Sequence, residues 1–95
     1  MSDISKVSWE KLRTLYAVAT LGSFSRAAES LQTTQATVSR RIKELEEILQ
    51  ITLVERSTSR FKLTPTTLNI VEELASMEAS FHKICSSLRE TAGQR

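Results

Sequence analysis

Residues 22–49, GSFSRAAESLQTTQATVSRRIKELEEIL, decide how this chain folds. They read as two short helices joined by a tight polar turn. Gly22 ends a preceding helix in the manner of a C-terminal glycine, and Ser23 caps the next. That second helix runs over about 25–31, where Ala27 and Ala28 are small enough to let two helices approach closely and Leu31 with Phe24 anchors the pair. Gln32-Thr33-Thr34 makes the turn, and Thr34 or Thr33 caps a third helix over about 35–49. In it Val38, Ile42, Leu45, Ile48 and Leu49 fall on one face, which leaves Gln35, Thr37, Arg40, Arg41 and Lys43 outside or on the flank. A helix that meets DNA end-on needs a slim polar first turn to enter a major groove about 12 Å wide, and cations behind it for phosphates. Thr34, Gln35 and Thr37 supply the first set, and Ser39, Arg40, Arg41 and Lys43 the second. The pattern therefore predicts a helix-turn-helix that binds double-stranded DNA.

Working outward, residues 1–7 read as a loose polar tail. Ser8 caps a first helix, with Lys11 rather than an acid three residues on, so the capping box is incomplete. Leu12, Leu15, Tyr16, Val18 and Ala19 recur at helical spacing and face the core. After the third helix come two β-like runs, 51–55 and 60–63, separated by Ser57-Thr58-Ser59. They predict a hairpin wing, and the lack of glycine between them predicts a wide turn. Thr64-Pro65 is a helix start, a hydroxyl followed by proline at the first helical position, and no breaker follows until Gly93.

Within that last helix Ile70, Leu74, Met77, Phe81, Ile84 and Leu88 are spaced 4-3-4-3-4, a heptad seam flanked by Val71 and Cys85. Over 65–92 the helix is about 40 Å long at 1.5 Å per residue, more than the body of so small a domain needs. The seam either packs on its own domain or meets a second copy, and its length favours the second copy. Six apolar residues at about 1.5–3 kcal/mol each give a gross gain of order 10 kcal/mol. Association costs roughly 4–15 kcal/mol. A dimer of weak intrinsic affinity follows, one that DNA helps to assemble by offering two sites at once.

Bulk properties fit this reading. Ninety-five residues make one small domain. The net charge is only +2, but it is unevenly placed: residues 1–63 hold ten Lys/Arg against seven Asp/Glu, and 64–95 hold three against four. The windows 32–43 and 56–62 each contain three cations and no acid, as a nucleic-acid face requires, although a solvated surface produces such runs as well. The single Cys85 excludes an internal disulfide framework. No apolar run approaches the roughly 18 residues of a membrane span. Residues 15–21, LYAVATL, imitate a signal segment but are short, interrupted by threonine and preceded by Asp3 and Glu10. The expected location is cytoplasmic, on the nucleoid when bound to DNA, with no membrane contact.

The segment LRTLYAVATLGSFSRAAESLQTTQATVSRRIKELEEILQITLVERSTSRFKLTP resembles the N-terminal winged helix-turn-helix domain of LysR-type transcriptional regulators. The resemblance covers about residues 8–67 and rests on an ordered set: Gly22-Ser23-Phe24, Ala27-Ala28, Leu31, Gln35, Ser39-Arg40, Ile42, Leu45-Glu46, Leu53, Arg56 and Leu63-Thr64. It implies a mainly α fold, three helices plus a β-hairpin wing over 8–64, with the helix-turn-helix at about 24–43 and the wing at about 51–63. The helix over 65–92 resembles that family's linker helix. The chain departs from the pattern at Ala36 (usually proline), Gln50 (usually glycine), Val54 (commonly phenylalanine) and Thr67 (frequently glycine). A wing arginine that often reaches the minor groove falls at Ser59 here, so Arg60 carries that role only by a one-residue shift. The two-lobed ligand-sensing domain of the family is absent from these 95 residues. A fragment of a longer regulator and a free-standing module both fit, and any small-molecule effector lies outside the chain.

The resemblance implies a homodimer that places two recognition helices in successive major grooves about 34–36 Å apart. Gln35 is the base reader, since an amide pairs bidentately with adenine. Thr37 meets a thymine methyl or a base edge, and Ser39 and Arg40 read bases or hold phosphates. Ser23, Ser25, Arg26 and Thr34 clamp the backbone, and Arg60 and Lys62 serve the wing. Arg56 either contacts DNA or is held structurally by a carboxylate such as Glu46. Ile70, Leu74, Met77, Phe81, Ile84 and Leu88 form the dimer seam.

Other classes fit less well. No glycine-rich phosphate loop or nucleophile elbow is present, so no catalytic residue and no cofactor is expected. His82 and Cys85 lie one turn apart with Glu78 nearby, but two ligands make no metal site. RNA binding is disfavoured by the lack of an aromatic stacking platform. The serious alternative is a protein–protein module that pairs through its last helix with a full-length regulator. The acid-free helix-turn-helix face argues against it.

Overall fold

The computed structural model describes residues 3–56 and 61–93. Its elements are a 3-10 turn Ile4–Lys6, α1 (Trp9–Leu21), α2 (Phe24–Ser30), α3 (Gln35–Leu49), β1 (Val54–Arg56), β2 (Phe61–Leu63) and α4 (Pro65–Gly93). Side-chain caps start the first three helices where the sequence placed them. Ser8 accepts from the Lys11 amide, Ser23 from Arg26 and Thr34 from Thr37. Gly22 ends α1 at φ +70°, the left-handed region that a glycine enters without a Cβ penalty.

The three helices close around Leu15, Val18, Ala27, Val38, Ile42 and Leu45, all fully buried. Ala27 and Ala28 let α2 lie close against its neighbours, and Leu53, Val54 and Leu74 extend the same core towards the wing and α4. Within the expected tail, Asp3 caps the turn Ile4–Lys6, and Val7 packs against the core.

Among the described residues the first strand of the wing begins later than the sequence implied. Its strands pair antiparallel as Val54↔Leu63, Glu55↔Lys62 and Arg56↔Phe61, while Ile51 and Thr52 stay outside them. Two features take 51–53 away from the sheet. Gln50 sits in the left-handed conformation at φ 57°, where the related pattern has glycine, and its Nε2 donates to the Glu47 carbonyl at 2.7 Å. Glu46 Oε2 then accepts the amides of Leu53 at 2.7 Å and Val54 at 3.2 Å, groups a strand would have offered to a neighbour. Thr67, at another departure from the pattern, is buried and donates to the Leu53 carbonyl at 2.7 Å. The Thr64 hydroxyl also lies against carbonyls, 2.9 Å from that of Thr52 and 3.2 Å from that of Leu53.

The long last helix divides the expected seam. Leu74 is buried in the domain's own core, Ile70 packs beside it and Phe81 is half-buried. Only Met77, Ile84 and Leu88 of the six are exposed, at 40%, 58% and 65%. A face continuous with the core on one helix runs past the end of the domain, so the first turns are covered and the later ones are not. No helix is long and apolar enough to cross a membrane, among the described residues.

Candidate nucleic-acid interface

The exposed end of α3 is built by its buried side. Val38, Ile42 and Leu45 pin one face to the core, so Gln35, Ala36, Arg40 and Lys43 are turned outward. Gln32 takes φ 55° in the turn, and the Thr33 amide donates to the Ala28 carbonyl at 2.9 Å, which brings α3 back across α2. Thr34 serves two purposes: its Oγ1 accepts the Thr37 amide at 3.1 Å and donates to Thr37 Oγ1 at 2.9 Å. The polar first turn is thereby fixed before any ligand arrives. Ser25 and Arg26 are exposed on α2, while Ser23 is half-buried with its oxygen engaged in the cap. Thr37 and Ser39 are half-buried on the flanks of α3.

The cations divide into two groups. Among the described residues, Arg26, Lys43 and Lys62 form no ion pair, whereas Arg40, Arg41 and Arg56 each do. Arg40 lies 3.3 Å from Glu44, a carboxylate shared with Lys11 at 3.8 Å. With both side chains largely solvated, that pair contributes at most about 1 kcal/mol and releases readily. Arg41 departs from the expectation. Its guanidinium turns to α1, 3.3 Å from Glu10 and 3.4 Å from the Thr14 hydroxyl, so it joins helix to helix instead of facing outward. Arg60 lies outside the described residues.

Arg56 meets the carboxylate that the sequence offered it. Its Nη1 is 3.3 Å from Glu46 Oε1, and its guanidinium sits 5.3 Å from the centre of the Phe24 ring. Phe61 meets the same ring edge-on at 5.8 Å. Glu46 on α3, Phe24 on α2 and Arg56 and Phe61 on the wing thus lock the hairpin to the helix-turn-helix. The sequence pointed to Glu46 and Arg56 but carried no sign of the aromatic pair.

A second cluster had no sequence signal at all. Arg13 of α1 makes a bidentate pair with Glu78 of α4, at 3.0 Å and 3.2 Å from Nε and 3.1 Å from Nη2. His82 Nε2 lies 2.7 Å from the same carboxylate. The Arg13 hydrogen bonds hold the Glu78 carboxyl below the usual glutamate range, His82 acts in the same direction, and burial opposes both. Trp9 packs on Phe81 at 5.5 Å, with the Arg13 guanidinium 4.7 Å above that ring. His82 is therefore engaged with Glu78 while Cys85 is exposed, and no cluster of three metal-ligating side chains occurs among the described residues.

Residues 9–67 match the family described as "Bacterial regulatory helix-turn-helix protein, lysR family". The chain is 47% identical over 64 residues to the HTH-type transcriptional activator AllS of Klebsiella pneumoniae, covering 67% of this chain and 24% of that protein. It is 44% identical over 59 residues to the HTH-type transcriptional regulator CrgA of Neisseria meningitidis, covering 62% of this chain and 20% of that one. The chain thus spans about a quarter of the length of such relatives, which are named as transcriptional regulators. Among solved structures it resembles the BenM DBD in its complex with catB site 1 DNA, with a TM-score of 0.78, 29% identity, and coverage of 94% of this chain and 100% of that one. Oxidised OxyR of Corynebacterium glutamicum gives a TM-score of 0.86 at 26% identity, covering 99% of this chain and 29% of that chain. The chain belongs to the LysR family of bacterial regulatory helix-turn-helix proteins and carries that family's winged helix-turn-helix DNA-binding domain.

Proposed function

We propose that the chain binds double-stranded DNA sequence-specifically as a homodimer, with α3 in the major groove and the wing towards the minor groove. The observation that carries the reading is the pre-set first turn of α3. Gln35 and Ala36 protrude behind a cap formed by Thr34, with Arg40 and Lys43 one and two turns further along the same exposed side. Gln35 is positioned to pair bidentately with adenine, an interaction worth about 1–3 kcal/mol of discrimination. Thr37 and Ser39 meet groove edges from the flanks. Ser23, Ser25, Arg26 and Thr34 hold one phosphate strand, and Lys43 with Lys62 and Arg60 the other. Arg41 and Arg56 act behind this surface, by fixing α3 to α1 and the wing to α3.

Dimerisation rests on the exposed half of α4. Met77, Phe81, Ile84 and Trp9 line an apolar groove of about 450 Å³ between α1 and α4, and Ile84 continues with Leu88 along the helix. Three exposed apolar side chains at about 1.5–3 kcal/mol each, half the number in the full seam, give about 4.5–9 kcal/mol per copy, which only overlaps the association cost of roughly 4–15 kcal/mol. The dimer is accordingly weak without DNA. The same three residues support a second reading, in which α4 pairs with the corresponding helix of a full-length regulator.

Selection from a random duplex library separates the two. Enrichment of a two-fold-symmetric site with half-sites about one turn apart supports the DNA-binding dimer. No enrichment, together with capture of a full-length regulator through α4, contradicts it and favours the pairing module.

A further inference from the structure

The contact between α1 and α4 does more than add stability. From Pro65 to Gly93 the last helix is about 43 Å long at 1.5 Å per residue. Thr67 and Leu74 fix its first turns in the core, and every described residue after Phe81 is exposed. Arg13–Glu78 and Trp9–Phe81 are therefore the last hold the domain has on this rod before it leaves the body. A rod gripped at one place pivots, and a second grip further along fixes its direction. The second grip is suited to that task. The Arg13 fork is bidentate and planar, which restricts orientation as well as distance. The Trp9 indole Nε1 is buried without a hydrogen-bond partner among the described residues, so packing against Phe81 holds the ring.

We propose that Arg13 and Glu78, backed by Trp9 and Phe81, are positioning residues that set the direction of α4 relative to α3 and so the half-site separation the protein accepts. The inference rests on the dimeric DNA-binding reading. In a two-fold dimer joined through the projecting part of α4, each recognition helix hangs from that rod. A tilt of about 10° acting across the body's 30 Å extent moves its far edge by about 5 Å, which exceeds the 3.4 Å step between base pairs. A joint loosened by that amount accepts neighbouring spacings that a rigid joint rejects.

The test has two arms, both on the full chain. In the first, spin labels on Cys85 and on a Glu29→Cys variant report the distance from α4 to α2, with excess unlabelled protein suppressing signals between copies. The distribution is expected to be narrow in the parent and broader in Arg13→Met, and to recover its width in the reciprocal swap Arg13→Glu with Glu78→Arg. A distribution equally narrow in Arg13→Met overturns the proposal. In the second arm, duplexes carry two half-sites moved apart one base pair at a time. The parent is expected to prefer one spacing by about tenfold, the scale of a modest DNA or joint deformation, and Arg13→Met to lose most of that preference while binding a single half-site unchanged. An unchanged spacing preference in the variant, against a selective parent, overturns the proposal alone. A parent that binds half-sites but is indifferent to spacing overturns the dimeric reading and the proposal with it.

Discussion

Replacing Glu46 with alanine removes the buttress between the recognition helix and the wing, and the cost follows from three contacts. Oε2 accepts the amides of Leu53 at 2.7 Å and Val54 at 3.2 Å, and Oε1 meets Arg56 at 3.3 Å. Leu53 and Val54 are each only 1% exposed, so neither amide has easy recourse to water. Leaving one buried donor unpaired costs about 1–3 kcal/mol, and the two together about 2–6 kcal/mol. The Arg56 pair adds less than about 1 kcal/mol, because that side chain is about one-third exposed and screened. For a domain of this size each kcal/mol lowers Tm by roughly 4–8 °C, so Glu46→Ala is expected to fall by about 10–50 °C. Glu46→Gln keeps one acceptor and should fall between. Urea unfolding followed by circular dichroism, with the m-value checked for two-state behaviour, measures this directly. A loss below about 0.5 kcal/mol at unchanged m would refute the assignment of Glu46 as the acceptor that shapes residues 51–54.

Three other outcomes follow from the same geometry. Gln50→Gly relieves a left-handed residue at φ 57° and should raise stability by about 0.5–1 kcal/mol in the same urea assay, whereas a loss would mean that the side-chain bond to the Glu47 carbonyl outweighs the backbone strain. Glu78, held below the ordinary glutamate value of about 4.3 chiefly by Arg13, contributes stability that is complete above that value and disappears as pH falls through its lower native one. Stability against pH should therefore drop less steeply below about pH 4.3 in Glu78→Gln than in the parent, and identical slopes would contradict the pairing. Arg40→Ala should reduce the salt slope of DNA binding by about one unit, and Arg41→Ala should leave that slope unchanged while lowering Tm; the reverse order would return Arg41 to the DNA face.

Much of the fold is written in local chemistry. Ser8, Ser23 and Thr34 cap helices, Gly22 ends one and Pro65 begins another, and each acts through neighbours within four residues in sequence. Such signals survive without tertiary information. The wing boundary was not legible in the same way, because residues 51–53 are diverted by the Glu46 carboxylate, seven residues back. The seam on α4 carried the right period but not its partner: Leu74 and Met77 look alike in a heptad, and only the end of the domain separates the covered turns from the bare ones. Among the site residues, Gln35, Arg40 and Lys43 emerge outward because Val38, Ile42 and Leu45 fix the opposite face. Arg41 turns inward because Glu10 and Thr14 face it from α1, across 27 or more positions of chain. Arg13 and Glu78, 65 positions apart, gave no signal, since any of eleven acids was a possible partner for any cation.

The central claim is that the exposed first turns of α3 meet the DNA bases while α4 joins the two copies. Amide chemical-shift mapping of the ¹⁵N-labelled chain, titrated with a selected duplex and with a scrambled one, tests it most directly. The selected duplex is expected to perturb residues 23–26, 34–40 and 62 most strongly, more than the scramble does, with secondary changes at Met77, Ile84 and Leu88 as the dimer assembles. Perturbations confined to α4, or identical for the two duplexes, would contradict it.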